Sequence, residues 1–403
     1  MKNITKLIRA DLMNLNKNMN LLYIANIRLP TEKAHGHQIM KMCEVFSEAG
    51  VDVELVVPNR RNKKLKDKSP FEFYNVKDNF KIKKVRCFDP VWLMKAPAGF
   101  YIKVQLLFFV ISLVFYLMFK KNRQEYVFYT RDEHLLPFLN LFSKNIVWEG
   151  HALPQNKKRL IGCLKYCQRI VVLTVQVKNK LIKLGIKKEH ILVSPDAVDL
   201  EIFDININKE DARSKLDLPN DKIILGYTGS FKTKGMDKGI GDILKSLKFV
   251  TQDNITFVAF GGNPDDLDFY QKMAKDLGVD KQSIFLGPVK QGELAIYQKA
   301  FDILMMPFPY TEHYAHYMSP LKMFEYMAAK RPILTTDLPT IREVLGKDSA
   351  YLARPDDSES IADGVKKIIE SNEYSEKISH QAYELVQSYT WNERVKKIIN
   401  HIK

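Results

Sequence analysis

Short apolar runs alternate with helical periodicities along almost the whole chain, and the alternation runs through twice. From residue 20, "NLLYIANI" reads as a strand, and "GHQIMKMCEVFSEAG" as a helix ending at Gly50. "VDVELVVP" is the next strand, and the basic stretch "NRRNKKLKDKSP" after it is a surface loop. "FKIKKVRCF", an apolar helix over 98–120, "YVFYT", a helix near 133–143, "NIVWE", "QRIVVLT" and "HILVSP" complete this series. A second series starts near 222, with "KIILGYTG", "ITFVAFGG", "SIFLGPV", "DILMMPF" and "RPILTTD" as five strands separated by helices. Strands spaced by helices imply βαβ units, so the expected class is α/β, with two facing doubly wound, Rossmann-like parallel sheets. A cleft between the carboxyl ends of their strands is the expected place for chemistry. The expected division is an N-terminal extension over 1–18, a first domain over 19–200, a second over 201–386, and a final segment over 387–403.

Charge narrows the partners. The net charge of +15 is lopsided, with roughly +20 on residues 1–190 and roughly −5 on the remainder. A basic half suits nucleic acid, an anionic membrane face or phosphorylated substrates. Nucleic acid is the weakest of these, because no zinc-finger spacing and no aromatic RNA-binding signature is seen. The longest apolar run, "LLFFVISLVFYLMF" at 106–119, has 14 residues and lysines on both sides. That is short of the roughly 18–20 a membrane span needs, so a buried core helix is the first reading and a helix dipping into the headgroup region the second. No secretory leader pattern is read, and the start could form a small amphipathic helix with Ile4, Leu7, Ile8 and Leu12 on one side. Cys43, Cys87, Cys163 and Cys167 form no C-x-x-C pair, which fits a reducing cytosol.

Four loops at the carboxyl ends of strands hold the candidate site residues. In "RLPTEKAHGHQIM", Gly36 precedes a helix, where a small residue lets backbone approach a ligand, and His35 and His37 flank it as loop residues. The absence of G-x-G-x-x-G argues against a dinucleotide. In "WEGHALP", Glu149 and His151 sit where an apolar strand turns polar, a place for a substrate-contacting histidine as well as a structural one. "GYTGSFKTKGMDKGI" brings Lys232, Lys234 and Gly235 to a glycine turn that suits a diphosphate, although the Walker A spacing is absent; the plainer reading is a basic hairpin tip. In "YMSPLKMFEYMAAKRP", Ser319 is expected to cap a helix, Pro320 to occupy its first turn, and Leu321, Phe324, Met327 and Ala328 to form its apolar stripe. Lys322 and Glu325 then lie one turn apart. They are either a solvated ion pair or the phosphate and ribose ends of one nucleotide site, with the helix start offering free N–H groups.

With "KAHGHQIMKMCEVFSEAG", "VELVVP", "ILVSPDAVDLEIF", "LGYTGSFKTKG", "FLGPV", "DILMMPF" and "SPLKMFEYMAAKRPIL" taken together, the chain resembles the retaining GT-B glycosyltransferases of family 4 (glycosyl transferases group 1) from about Met19 onward. The resemblance implies that Lys234 binds the diphosphate of a nucleoside diphosphate-sugar donor, UDP or GDP. The family's arginine falls near Ser230, with Lys232 as a possible substitute. Glu325 looks like the second glutamate of an E-x7-E motif whose first position is Tyr317 here. Ser319, Pro320, Leu321 and Lys322 would present backbone N–H groups to the phosphates, Gly36 and Val289 would line the donor site, and His151, with Glu149, would be the active-site histidine. Lys330 and Ala197 stand where the family has glycines. "SYTWNERVKKIINHIK" resembles the last helix, which crosses back to the first domain. The family needs no metal or other cofactor, and Asp266-Leu267-Asp268 is rejected as a metal site because it starts a surface helix. The implied function is a cytoplasmic, peripherally membrane-associated transferase acting on a glycan or lipid-linked acceptor. The rivals are a UDP-amino-sugar epimerase of the same fold and a catalytically inactive subunit docked on a membrane.

Overall fold

The computed structural model describes residues 19–403 apart from 61, 63, 64, 66, 67, 98, 154–156, 234, 251, 253 and 290. The expectations for residues 1–18 and for Lys234 fall outside the described residues. The chain divides into two compact units. One comprises the chain up to Leu173, Val177–Ser194 and Trp391–Lys403; the other comprises Thr174–Gln176 and Pro195–Thr390.

The first unit is built on a seven-stranded sheet: β1 (Asn20–Ile24), β2 (Asp52–Pro58), β3 (Lys81–Val85), β4 (Tyr126–Thr130), β5 (Ile146–Gly150), β6 (Arg169–Val172) and β7 (Ile191–Val193). Every pairing in it is parallel and the order is β3-β2-β1-β4-β5-β6-β7. Central strands such as β1 and β5 are apolar almost throughout because both faces are covered. Helix α1 (Ala34–Glu48) follows β1 and packs on β2. Helix α2 (Phe100–Phe119) precedes β4. It corrects the first reading of the 106–119 run. Phe109, Val110, Leu113 and Leu117 are buried, but Leu107, Ile111, Phe115 and Met118 on another side are exposed. The helix is apolar all round, so its composition never said how much of it the unit would cover. The helix expected near 133–143 is also corrected: the structure has a 3-10 turn over Glu133–Leu135 and one α turn over Leu136–Leu139, with Pro137 at its start.

The second unit has a six-stranded sheet of β8 (Ile223–Thr228), β11 (Ile255–Phe260), β12 (Ser283–Leu286), β13 (Ile303–Met306), β14 (Ile333–Thr336) and β15 (Tyr351–Ala353), in the order β12-β11-β8-β13-β14-β15. The sixth strand, three residues of "SAYLARP", is one more than the sequence suggested. A short hairpin of β9 (Lys232–Thr233) and β10 (Met236–Asp237) stands beyond the end of β8. Three helices bear on the site: α3 (Ile240–Ser246), α4 (Pro264–Leu277) and α5 (Leu321–Ala328). The last helix, α6 (Trp391–Ile402), belongs to the first unit and packs on α1. Its Trp391, Val395, Ile398 and Ile402 are buried along one face.

Both sheets carry the same topology. The first strand of each pairs with its second on one side and its fourth on the other. Connections therefore depart in opposite directions from adjacent strands, β1 and β4 in one unit and β8 and β13 in the other. A crevice opens beyond the carboxyl ends of such a pair.

Candidate functional site

In the second unit, β8 ends at Thr228 and the chain turns at Gly229, whose φ of 106° is a left-handed value that favours glycine. The turn lies against Lys322: a Cβ at Gly229 would be in ordinary contact with it, 3.4 Å from Cε and 3.5 Å from Nζ. Lys322 comes from the first turn of α5, which begins beyond the end of β13. Its ammonium is 3.5 Å from the centroid of the Tyr227 ring and buried, with no hydrogen-bond partner among the described residues. Burial, then the charge of Lys238, hold this ammonium well below the usual lysine range, against the opposing pull of Glu325. Lys238 follows the β9–β10 hairpin, which folds the chain back so that Lys238 N–H donates to the Phe231 carbonyl and Nζ donates to Ser230 Oγ at 2.7 Å. Burial pushes Lys238 down to about 8, with Asp266 acting the other way. Two lysine side chains thus gather at one turn of backbone, an arrangement that a bound oxyanion would relieve.

One turn deeper in α5, burial pushes the Glu325 carboxyl up to about 7, opposed by Lys322 and by a hydrogen bond from Gln298 at 3.4 Å. Tyr326 fixes the helix to the strand, its hydroxyl accepting from Thr228 N–H at 2.8 Å. Ser319 does not cap α5. Pro320 is the capping residue and no side chain accepts there, while the Ser319 hydroxyl accepts from Asp196 N–H at 2.8 Å. The first N–H groups of α5 are therefore left without a side-chain cap.

Glu149, in the first unit, is fully buried at the end of β5. Its Oε1 lies 2.7 Å from His151 Nε2 and 3.0 Å from Arg394 Nη2, and its Oε2 accepts from the Tyr129 hydroxyl. Burial alone would raise this carboxyl, but Arg394 and then His151 hold it well below the usual carboxylate range. Burial and then Arg131 push His151 down to about 4, against the pull of Glu149. A neutral imidazole beside an ionised carboxylate donates from Nε2. Nδ1 is then left as an acceptor, suited to a sugar hydroxyl.

Residues 208–385 match the family Glycosyl transferases group 1. Over 197 residues, 49% of this chain and 46% of the relative, the sequence is 25% identical to the putative teichuronic acid biosynthesis glycosyltransferase TuaC of Bacillus subtilis (strain 168). The chain spans about half the length of the curated relatives it matches. Solved structures resemble almost all of it, two of them as follows. A sucrose-phosphate synthase of Thermosynechococcus elongatus superimposes with a TM-score of 0.73 at 16% identity, over 95% of this chain and 98% of that one. HepE of Anabaena, in complex with UDP and glucose, does so with a TM-score of 0.68 at 13% identity, over 95% and 99%. The fold is that of the GT-B glycosyltransferases, two parallel-sheet, Rossmann-like domains.

Within the group 1 segment the structure brings together Ser230, Lys322 and Glu325 of the residues proposed from sequence, and adds Lys238 and Gln298. Lys232 is turned away. Its ammonium pairs with Asp266 on α4 at 3.3 Å and lies 3.9 Å from the centroid of the Phe269 ring. Gly235 forms the hairpin turn with φ of 80°. Val289 packs against the unit's core, and the Tyr317 hydroxyl donates to Glu312 at 3.0 Å. Gly36, near the start of α1 in the first unit, is explained by packing: a Cβ there would lie 2.2 Å from the Tyr74 hydroxyl, which bonds both Thr31 N–H and the Thr31 carbonyl at 2.7 Å. Lys238, Gln298 and Arg394 are residues the sequence did not single out. Arg394 had a signal, since it is a cation on the apolar stripe of α6.

Proposed function

We propose that the protein is a retaining glycosyltransferase of family 4, which transfers a sugar from a nucleoside diphosphate-sugar to a glycan or lipid-linked acceptor in cell-surface polysaccharide synthesis. The observation that carries this reading is the buried ammonium of Lys322 at the α5 start, beside the Gly229 turn, under the charge of Lys238 and without a hydrogen-bond partner among the described residues. Preorganised cations and helix N–H groups stabilise a departing diphosphate because they need no reorganisation when its charge develops. Glu325 would accept from the ribose diol, and Lys234 would add a further cation to the diphosphate. In the first unit, His151, oriented by Glu149, would hold the transferred sugar through Nδ1. The incoming hydroxyl would attack from the face the diphosphate leaves. The UDP seen in the HepE structure and the polysaccharide role in the TuaC name support the donor and pathway class. The free thiols of Cys43, Cys87, Cys163 and Cys167 accord with a cytoplasmic location.

Radiolabelled UDP-sugars and GDP-sugars test the proposal directly. Transfer, or slow hydrolysis, with the anomeric configuration kept is expected from one of them. Calorimetric binding of UDP or GDP without any sugar release, even with a lipid-linked acceptor present, would assign the chain to a non-catalytic subunit instead. Epimerised free sugar would point to an epimerase.

A further inference from the structure

Helix α2 presents an apolar surface that its own unit leaves uncovered. Leu107, Ile111, Phe115 and Met118 recur at three- and four-residue intervals, so they form one stripe, and each is about half exposed. Just before the helix, Trp92 is 71% exposed and Phe88 58%. Contiguous exposed apolar surface of this kind marks a place where something else sits.

Charge indicates the occupant. Residues 81–123 contain nine lysines and arginines against one acid, Asp89, which is paired with Arg28 at 3.1 Å. Lys81, Lys83 and Lys84 are exposed on β3, the edge strand that packs beside α2, and Lys95, Lys103 and Lys121 are exposed around the helix ends. An apolar stripe with an exposed tryptophan and a border of lysines matches the cross-section of an anionic bilayer surface, acyl chains below and phosphates above. The helix is 20 residues long, yet it is held against its unit: Leu113 and Leu117 are buried, and Tyr116 Oη and Lys120 Nζ both reach Glu54 on β2 at 2.6 Å. By length and composition the helix could cross a membrane, but fastened along one face it is placed to lie in an interface instead.

We propose that α2 is a membrane-docking element, lying in the plane of an anionic bilayer with Leu107, Ile111, Phe115, Met118 and Trp92 inserted and the lysines of β3 on the headgroups. This rests on the surface and stands whether or not the protein transfers sugar.

The test uses the full chain with vesicles of phosphatidylcholine alone or with about 30% phosphatidylglycerol, with no donor or acceptor present. Only three tryptophans occur, and Trp148 and Trp391 are buried, so quenching by brominated acyl chains reports on Trp92. Binding is expected to be about tenfold stronger with the anionic lipid, to fall between about 50 and 500 mM salt, and to quench Trp92. The variant Leu107→Ser/Ile111→Ser/Phe115→Ser should lose about tenfold in binding with an unchanged melting temperature, and Lys83→Ser/Lys84→Ser should lose binding to the anionic vesicles. If the triple variant is unstable, Leu107→Asp alone serves. Equal recovery in the supernatant with both vesicles overturns the proposal. So does binding that neither quenches Trp92 nor responds to the stripe substitutions, or a dimer that the same substitutions dissolve.

Discussion

Lys322 holds its side-chain nitrogen in a buried place that penalises the charged form and gives it no hydrogen-bond partner among the described residues. A buried polar group without a partner costs about 1–3 kcal/mol, so Lys322→Met should raise the stability of the ligand-free protein by up to about that amount. The same change should weaken UDP or GDP binding about tenfold or more, since charge-assisted hydrogen bonds contribute about 1.5–3 kcal/mol. A thermal melt and a calorimetric titration read the two effects. A less stable variant with unchanged affinity would contradict the anion-binding role. Glu325 carries a pH signature. Its folded value of about 7 lies above the ordinary carboxylate value, so the folded state holds a proton that the unfolded state has released. That contribution to stability is complete below the ordinary value and is lost as pH rises through about 7. The ligand-free protein should therefore lose stability from pH 5 to 8 relative to Glu325→Gln, while its affinity for a nucleoside diphosphate should improve over the same range as the carboxylate forms. A flat difference between the two proteins would place the titration elsewhere.

Two helices show how far sequence pattern reaches. On α2, Leu113→Ala should cost about 2–5 kcal/mol, as buried leucines do, whereas Leu107→Ala should stay within about 0.5 kcal/mol. Urea denaturation of the pair distinguishes them. Nothing in "LLFFVISLVFYLMF" could make that distinction, because a helix apolar all round has no direction until the sheet it packs on is known. The sheet itself was legible, since the strands of the first unit other than the lysine-rich β3 stand out as apolar runs between turn residues. The three-residue β15 did not stand out, and the 133–143 stretch was misjudged because Pro137 and the short turns around it override its apolar spacing. The glycine turn after β8 was legible in the sequence as a place where lysines gather. Its third lysine was missed because a two-residue hairpin sends Lys238 back over Ser230 while α4 draws Lys232 to Asp266. On α6, Arg394→Met should cost about 3–5 kcal/mol by leaving Glu149 an uncompensated buried charge. It should also raise the pH of the acid limb of turnover without changing UDP affinity, and Arg394→Lys should recover part of each loss. Loss of UDP binding in Arg394→Met would argue against separate roles for Glu149 and the lysine turn after β8.

Each sheet turns its chain in opposite directions at a pair of central strands, and the polar side chains of both groups, Arg394 of α6 apart, lie at strand ends or on segments that follow them. The chain nonetheless does not complete its units in order. Trp391–Lys403 belongs to the first unit, and Pro195–Thr390 comes before it. During vectorial synthesis at about 5–20 residues per second, the ribosome takes roughly 10–40 s to make that intervening stretch. Throughout that interval the α6-facing surface of α1 is bare and Glu149 lacks Arg394. Nascent chains stalled with Thr390 just outside the exit tunnel should show a protease-resistant second unit and a first unit that is still cleaved. Release of the remaining residues should make the first resistant as well, and resistance of both units in the stalled chain would refute this order. The half of the protein made first would then be the half finished last, and an emerging chain would depend on chaperone cover at its older end.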